Sequence, residues 1–149
     1  MNWIHNPAFR RFLLSNFGKK QFFWKIVSFV LRFLKMQSCI FCKIVNGEIS
    51  SRKVYEDEKV LAFHDINPQA PIHILVIPKK HIMTIREVNE DDKDLLFSII
   101  KTCNKIADDM GIGEKGFRIV VNTNPYGGQT VYHLHFHLIG GRQMRWPPG

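Results

Sequence analysis

Apolar positions along this chain recur at two periods, and the switches between them outline a domain. Ile72 to Ile77 is an almost continuous apolar run with β-branched residues, which predicts a buried strand. Val54-Tyr55 and Lys59 to Phe63 predict paired strands about a turn at Asp57-Glu58. Leu95, Leu96, Ile99, Ile100, Cys103, Ile106, Ala107 and Met110 then form one helical stripe. Asn89, with Asp92 three residues on, can cap that helix, and Gly111 can end it. Two more strands are predicted, from Phe117 to Val121 and from Tyr132 to Ile139. A short helix from Cys39 to Asn46 closes at Gly47. The expected class is α+β, with one long and one short helix on a mostly antiparallel sheet, and no repeat or second domain.

The last strand carries the chemistry. His133, His135 and His137 alternate with Leu134, Phe136 and Leu138. Successive side chains on an extended strand point to opposite faces, so the imidazoles share one face while the apolar residues meet the core. A neutral imidazole is a nucleophile, proton carrier or metal ligand near pH 7. Just upstream, Asn122 closes the preceding strand, and a loop with Pro125, Gly127, Gly128, Gln129 and Thr130 leads back. Adjacent glycines let a backbone approach an anion with its N–H groups exposed. Such a loop alone is more often a plain hairpin turn; beside three histidines it suggests an anion site next to a nucleophile.

Composition changes the picture at one end only. The chain of 149 residues has a formal charge of +8. Residues 1–35 hold seven of its Lys and Arg and no Asp or Glu, leaving 14 basic against 13 acidic residues beyond them. The domain, taken as 36–149, is nearly neutral and shows no nucleic-acid patch. Within the extension, Lys25, Ser28, Arg32 and Lys35 share one helical face, and Phe22, Ile26, Phe29 and Phe33 another. That basic amphipathic pattern suits a membrane surface or an organelle import system. Its apolar stretches are too short to span a bilayer. Met36 lies where the domain begins, so translated upstream sequence without a role is equally open. A cytoplasmic location is expected, or an organellar one if the extension is a presequence.

The three cysteines give no disulfide framework. Cys103 reads as a buried thiol. Cys39-Ile40-Phe41-Cys42 can hold one tetrahedral ion with two further ligands, for which His81 and His133 are the natural pair. A free dithiol and a redox pair stay open, the latter weakened by the lack of a βαβ pattern.

The string Gly127-Gly128-Gln129-Thr130-Val131-Tyr132-His133-Leu134-His135-Phe136-His137 resembles the signature of the histidine triad (HIT) family. The ending Gly140 to Gly149, with Trp146-Pro147-Pro148-Gly149, looks like its Hint branch of purine nucleoside phosphoramidases. The segments Leu61 to Pro71 and His73 to Ile82 match as well, so the resemblance runs from about Cys39 to Gly149.

The resemblance implies that His135 attacks the α-phosphorus of a nucleoside phosphoramidate and that water hydrolyses the nucleotidyl-histidine. It implies that His137 and backbone N–H groups of Gly128, Gln129 and Thr130 donate to phosphoryl oxygens. The Thr130 hydroxyl, where relatives often carry Ser, would bridge to the leaving nitrogen. Asn122 would contact the phosphate or leaving-group side, and His73 would set a tautomer in the histidine network. Asp65 would accept the ribose hydroxyls, with Ile66, Phe41 and Phe63 walling a purine slot. Some members carry zinc on positions like Cys39, Cys42, His81 and His133; four protein ligands would make it structural.

A homodimer is implied too, the sheet continuing across a two-fold axis and Trp146 crossing to the partner's leaving-group side. The long helix and the strand from Phe117 to Val121 carry more apolar surface than a small sheet can cover. Alternatives are a dinucleoside polyphosphate hydrolase or nucleotidyl transferase of the same family, and a nucleotide-binding interaction module.

Overall fold

The computed structural model of the chain describes residues 38–147, together with Trp24, Ile26 and Val27. Those three are helical; the rest of the expected amphipathic helix, between Phe22 and Lys35, lies outside the described residues. Contacts divide the chain into Met1–Ser38 and Cys39–Gly149, and the second unit is the one described below. Among the described residues no helix is long and apolar enough to cross a membrane.

The second unit is an antiparallel sheet with a helix on each face. Helix α1 (Ile40–Val45) is followed by β1 (Lys53–Glu56), β2 (Val60–His64) and β3 (Ile72–Pro78). The long helix α2 (Lys93–Asp109), β4 (Arg118–Val120) and β5 (Phe136–Gly140) complete it. The strands lie in the order β1-β2-β3-β5-β4, every neighbouring pair antiparallel. The Asn89–Asp92 capping box forms as the sequence predicts and heads a single 3-10 turn, Glu90–Asp92, that runs into α2. Lys80 Nζ, 2.6 Å from Asp92 Oδ1, ties that helix start back to the end of β3.

Period-two alternation sorts the strand residues between two cores. Val60, Ala62, Ile74, Val76, Leu134, Phe136 and Leu138 pack with Ile99, Cys103, Ile106 and Ala107 of α2. On the other face Leu61, Phe63, Leu75 and Ile77 pack with Phe41 and Ile44 of α1. The β2–β3 register sets Phe63 opposite Leu75 and Leu61 opposite Ile77, keeping each set on its own side. The same rule puts His73 and His137 on the α1 face, because His73 pairs with Ile139 and Leu75 with His137.

One boundary differs from expectation. The histidine strand begins at Phe136, not Tyr132, so His133 and His135 precede the ladder. The reason is local. β3 ends at Pro78, which has no N–H to offer a pairing strand, and its carbonyl accepts a bond from the His133 ring instead. The His133 N–H turns back to Val131 O, and the Leu134 N–H bonds to Ile82 O. The alternation survives without the ladder: Leu134 points into the α2 core and His133 and His135 to the α1 side.

Candidate active site and metal-ligand cluster

Hydrogen-bond partners assign the tautomers in this site. His135 Nδ1 lies 2.7 Å from the backbone oxygen of His133. A carbonyl only accepts, so Nδ1 carries the proton and Nε2 of neutral His135 keeps its lone pair. The ring is buried, edge-on to Phe41 at 5.4 Å and to His137 at 4.9 Å between centroids.

A second chain of bonds orients His137. The backbone N–H of Gln69 donates to His73 Nδ1 at 3.1 Å, which leaves the proton of His73 on Nε2. That atom lies 2.8 Å from His137 Nδ1, so His137 accepts there and carries its own proton on Nε2; the Asn122 Nδ2 that stands 3.5 Å away is itself a donor, so only the amide oxygen of Asn122 can accept that proton. Burial first, then the neighbouring His135 and His73, lower the His137 pKa to about 4, with Asp65 opposing. Burial lowers His73 as well, against the pull of Asp65. Both rings are therefore neutral near pH 7, and His137 presents an N–H donor beside the free lone pair of His135. Asp65, His73 and His137 are also close enough to be read as a ligand set. The proton on His73 Nε2 stands where a metal would need a lone pair, so a hydrogen-bond chain describes them better.

The glycine loop is held differently from the sequence expectation. Gly128 sits at φ +77, as its left-handed turn requires. Its N–H already bonds to Pro125 O, and that of Gln129 to Asn124 O. Two of the three expected backbone donors are thus spent within the loop. The Thr130 N–H and hydroxyl have no hydrogen-bond partner among the described residues, and Thr130 is exposed. Gln129 is instead the buried fastening of the loop. Its Nε2 donates to Met83 O at 2.7 Å and Val131 O at 3.1 Å, while its Oε1 accepts from Asn124 N at 3.0 Å.

On the nucleoside side, Asp65 Oδ1 accepts from Asn67 N at 2.8 Å, and Oδ2 faces His73 Nε2 at 3.4 Å. Ile66 next to it is an apolar side chain 91% exposed. Phe63 is buried against Phe41, whose ring in turn meets those of His133 and His135 edge-on. Trp146 is 84% exposed. Its segment is tied down by Arg118 Nη2 to Arg145 O at 2.9 Å and Arg142 Nη2 to Gln69 O at 3.3 Å.

Cys39, Cys42, His81 and His133 meet where α1 crosses the end of β3. Cys42 Sγ stands 3.2 Å from His81 Nδ1 and 3.6 Å from His133 Nδ1. Cys39 Sγ is 3.5 Å from His133 Nδ1, and the two Nδ1 atoms are 3.3 Å apart. A tetrahedron with zinc–nitrogen and zinc–sulfur bonds of about 2.0–2.3 Å has edges of about 3.3–3.8 Å, so the donors stand almost at coordination spacing. His133 donates from Nε2 to Pro78 O at 2.8 Å, which aims its Nδ1 lone pair into the cluster. Burial, then Cys39, push the Cys42 thiol up to about 12. Thiolates here need a cation beside them, and the donor set fits zinc.

Two contributions were invisible in the sequence. Gln69 orients His73 through its backbone N–H, and Pro78 orients His133 through its carbonyl. Main-chain roles leave no side-chain signature. The side chain of Gln129 was legible only as part of a motif, not as a fastening.

A row of histidines on one face of an antiparallel sheet, next to a glycine loop, is the arrangement of a histidine-triad protein. The HIT domain model matches residues 46–144, and the chain belongs to the HIT family. It is 53% identical over 112 residues to a 14 kDa zinc-binding protein of Brassica juncea, covering 74% of this chain and 98% of that one. It is 52% identical over 112 residues to adenylylsulfatase HINT1 of Arabidopsis thaliana, covering 74% and 76% respectively. Among solved structures, a HIT family hydrolase from Legionella pneumophila superposes with a TM-score of 0.74 at 57% identity, over 75% of this chain and all of that one.

Replacing Gln129 tests the loop assignment. Gln129→Ala removes the three hydrogen bonds that this buried side chain makes to Met83 O, Val131 O and Asn124 N, and should lower unfolding free energy by about 1–3 kcal/mol in denaturant titration. Thr130→Ala, which breaks no bond, should stay within about 0.5 kcal/mol.

Proposed function

We propose that this chain hydrolyses purine nucleoside 5′-phosphoramidates through a nucleotidyl-histidine on His135. The observation that carries this is the 2.7 Å bond from His135 Nδ1 to His133 O, which leaves Nε2 as the nucleophile. Nε2 attacks the α-phosphorus, the phosphorus–nitrogen bond to the amine breaks, and the leaving nitrogen takes a proton from solvent, which the attacking water gives back to solvent in the second step. The imidazolium so formed keeps its Nδ1 proton against the His133 carbonyl, which disperses the new charge. Water then attacks the phosphorus, gives up a proton, and releases the nucleoside monophosphate and neutral His135. The His137 Nε2–H steadies a phosphoryl oxygen in both steps, and the free Thr130 hydroxyl and N–H face the leaving group. Asp65 and Ile66 take the ribose and purine. His135→Ala should lower kcat on adenosine phosphoramidate by at least about a thousandfold while AMP affinity changes little; near-normal turnover would refute the nucleophile.

The name of the Arabidopsis relative favours a second substrate for the same site. In an adenylyl sulfate the attacked phosphorus is the same and sulfate replaces the amine as leaving group. Comparing kcat/KM for adenylyl sulfate and adenosine phosphoramidate decides which is preferred.

Cys39, Cys42, His81 and His133 would hold zinc, closed by four protein ligands and therefore structural. The zinc-binding Brassica relative supports this. Metal analysis of the purified full chain should give about one equivalent of zinc, and Cys42→Ser should lose it together with thermal stability. A metal-free chain of unchanged stability would contradict the assignment.

A homodimer would cover the free edge of β4 and the exposed Phe97 and Ile100 of α2. Sedimentation should give twice the chain mass, and a monomer at micromolar concentration would exclude it. The basic extension would serve an organelle import system or a membrane surface, in an otherwise cytoplasmic protein.

A further inference from the structure

The turn between β2 and β3 follows Asp65 and carries the exposed Ile66, yet little fastens it. Ile66, Asn67, Pro68, Gln69 and Pro71 are all exposed, so core packing does not hold them. Inside the turn, the Asn67 N–H donates to Asp65 Oδ1 and Gln69 Nε2 donates to Asn67 O, each at 2.8 Å. Among the described residues, two hydrogen bonds join residues 66–71 to anything beyond Asp65, and both use the main chain of Gln69. Its N–H donates to His73 Nδ1 at 3.1 Å, and its carbonyl accepts from Arg142 Nη2 at 3.3 Å.

Arg142 reaches that carbonyl because β5 ends in two glycines. Gly140 is the last ladder residue, opposite Ile72. Gly141 turns at φ +84, where an added β-carbon would stand 3.0 Å from Pro71 Cβ. The backbone therefore passes close over the turn and delivers the next side chain to it. Arg142 Nη1 donates to Gln143 O at 3.2 Å as well, and among the described residues the guanidinium pairs with no carboxylate. Arg142 is exposed, so its loss removes a fastening without opening a core.

We propose that Arg142 is a positioning residue for the histidine network. By holding the Gln69 carbonyl it keeps the Gln69 N–H on His73 Nδ1, and through His73 it keeps the His137 proton on Nε2. This deepens the function proposed above and rests on His137 as the donor to a phosphoryl oxygen. Without Arg142 the turn loosens and the Gln69 N–H swings off His73, which can then take the Nδ1–H form. His73 Nε2 becomes an acceptor, His137 moves its proton to Nδ1, and a bare Nε2 lone pair faces the phosphoryl oxygen. A hydrogen bond in the transition state is exchanged for a repulsion.

The test uses the full chain. Nitrogen-15 spectra of histidine in the free protein should show His73 and His137 each in a single Nε2–H form. Arg142→Ala should turn both into mixtures with the Nδ1–H form, while melting stays near wild type, as for an exposed side chain. Its kcat on adenosine phosphoramidate should fall about threefold to tenfold. AMP affinity should weaken too, since the loosened turn carries Ile66 and adjoins Asp65. Arg142→Lys should recover most of the loss, because one carbonyl can accept from an ammonium. In a His73→Ala chain, Arg142→Ala should lower kcat by less than about twofold, as residues acting in series require. Arg118→Ala frees Arg145 O but leaves Gln69 held, and should keep the single His137 form.

Lost turnover with wild-type histidine spectra would overturn the proposal in favour of a direct contact between Arg142 and the substrate. The same mixed spectra in Arg118→Ala would overturn it as well, by making the whole C-terminal segment the fastening. Fully multiplicative losses in the double variant with His73→Ala would overturn the link through His73. An inactive His135→Ala with a silent Arg142→Ala would overturn this inference alone, whereas an active His135→Ala would overturn the nucleophile itself.

Discussion

Everything proposed for this site depends on one hydrogen bond, from the His135 imidazole to the carbonyl of His133. It decides which nitrogen holds the lone pair, keeps that nitrogen on the α1 face, and supplies a negative dipole where positive charge would appear on attack. The bond is possible because the chain leaves the ladder before Phe136. In a regular antiparallel ladder the His133 carbonyl could be taken by a neighbouring strand. Pro78 ends β3 there and lacks an N–H, so the carbonyl stays available to the ring.

The same short segment serves two purposes. His133 is fully buried, points Nδ1 at the cysteines and anchors Nε2 on Pro78 O. Burial pushes its pKa down to about 4, so it is a neutral donor near pH 7. Helix α1 brings the cysteines to it and, with them, Phe41. Metal-ligand cluster and candidate active site are therefore neighbouring parts of one packed layer on the sheet face opposite α2.

Much of this was legible in the sequence because it depends on side-chain period and chemistry. The stripe from Leu95 to Met110 is the buried face of α2, and the cap at Asn89 forms as expected. The Cys-x-x-Cys spacing with His81 and His133 does bring four donors together. The alternation of histidines and apolar residues was right about faces and wrong about the ladder, since period reports orientation and not pairing. The anion cradle was overread: two glycine-loop N–H groups close the loop itself, a matter of turn geometry that residue types do not disclose. The main-chain roles of Gln69 and Pro78 were out of reach for the same reason.

The most direct test of the account is to catch the intermediate. Mixing the full chain with adenosine phosphoramidate, quenching during the burst of amine release and mapping peptides by mass should find one adenylyl group, on His135 and bonded through Nε2. An adenylyl group on His137, or a burst of amine with no adduct on any histidine, would contradict it.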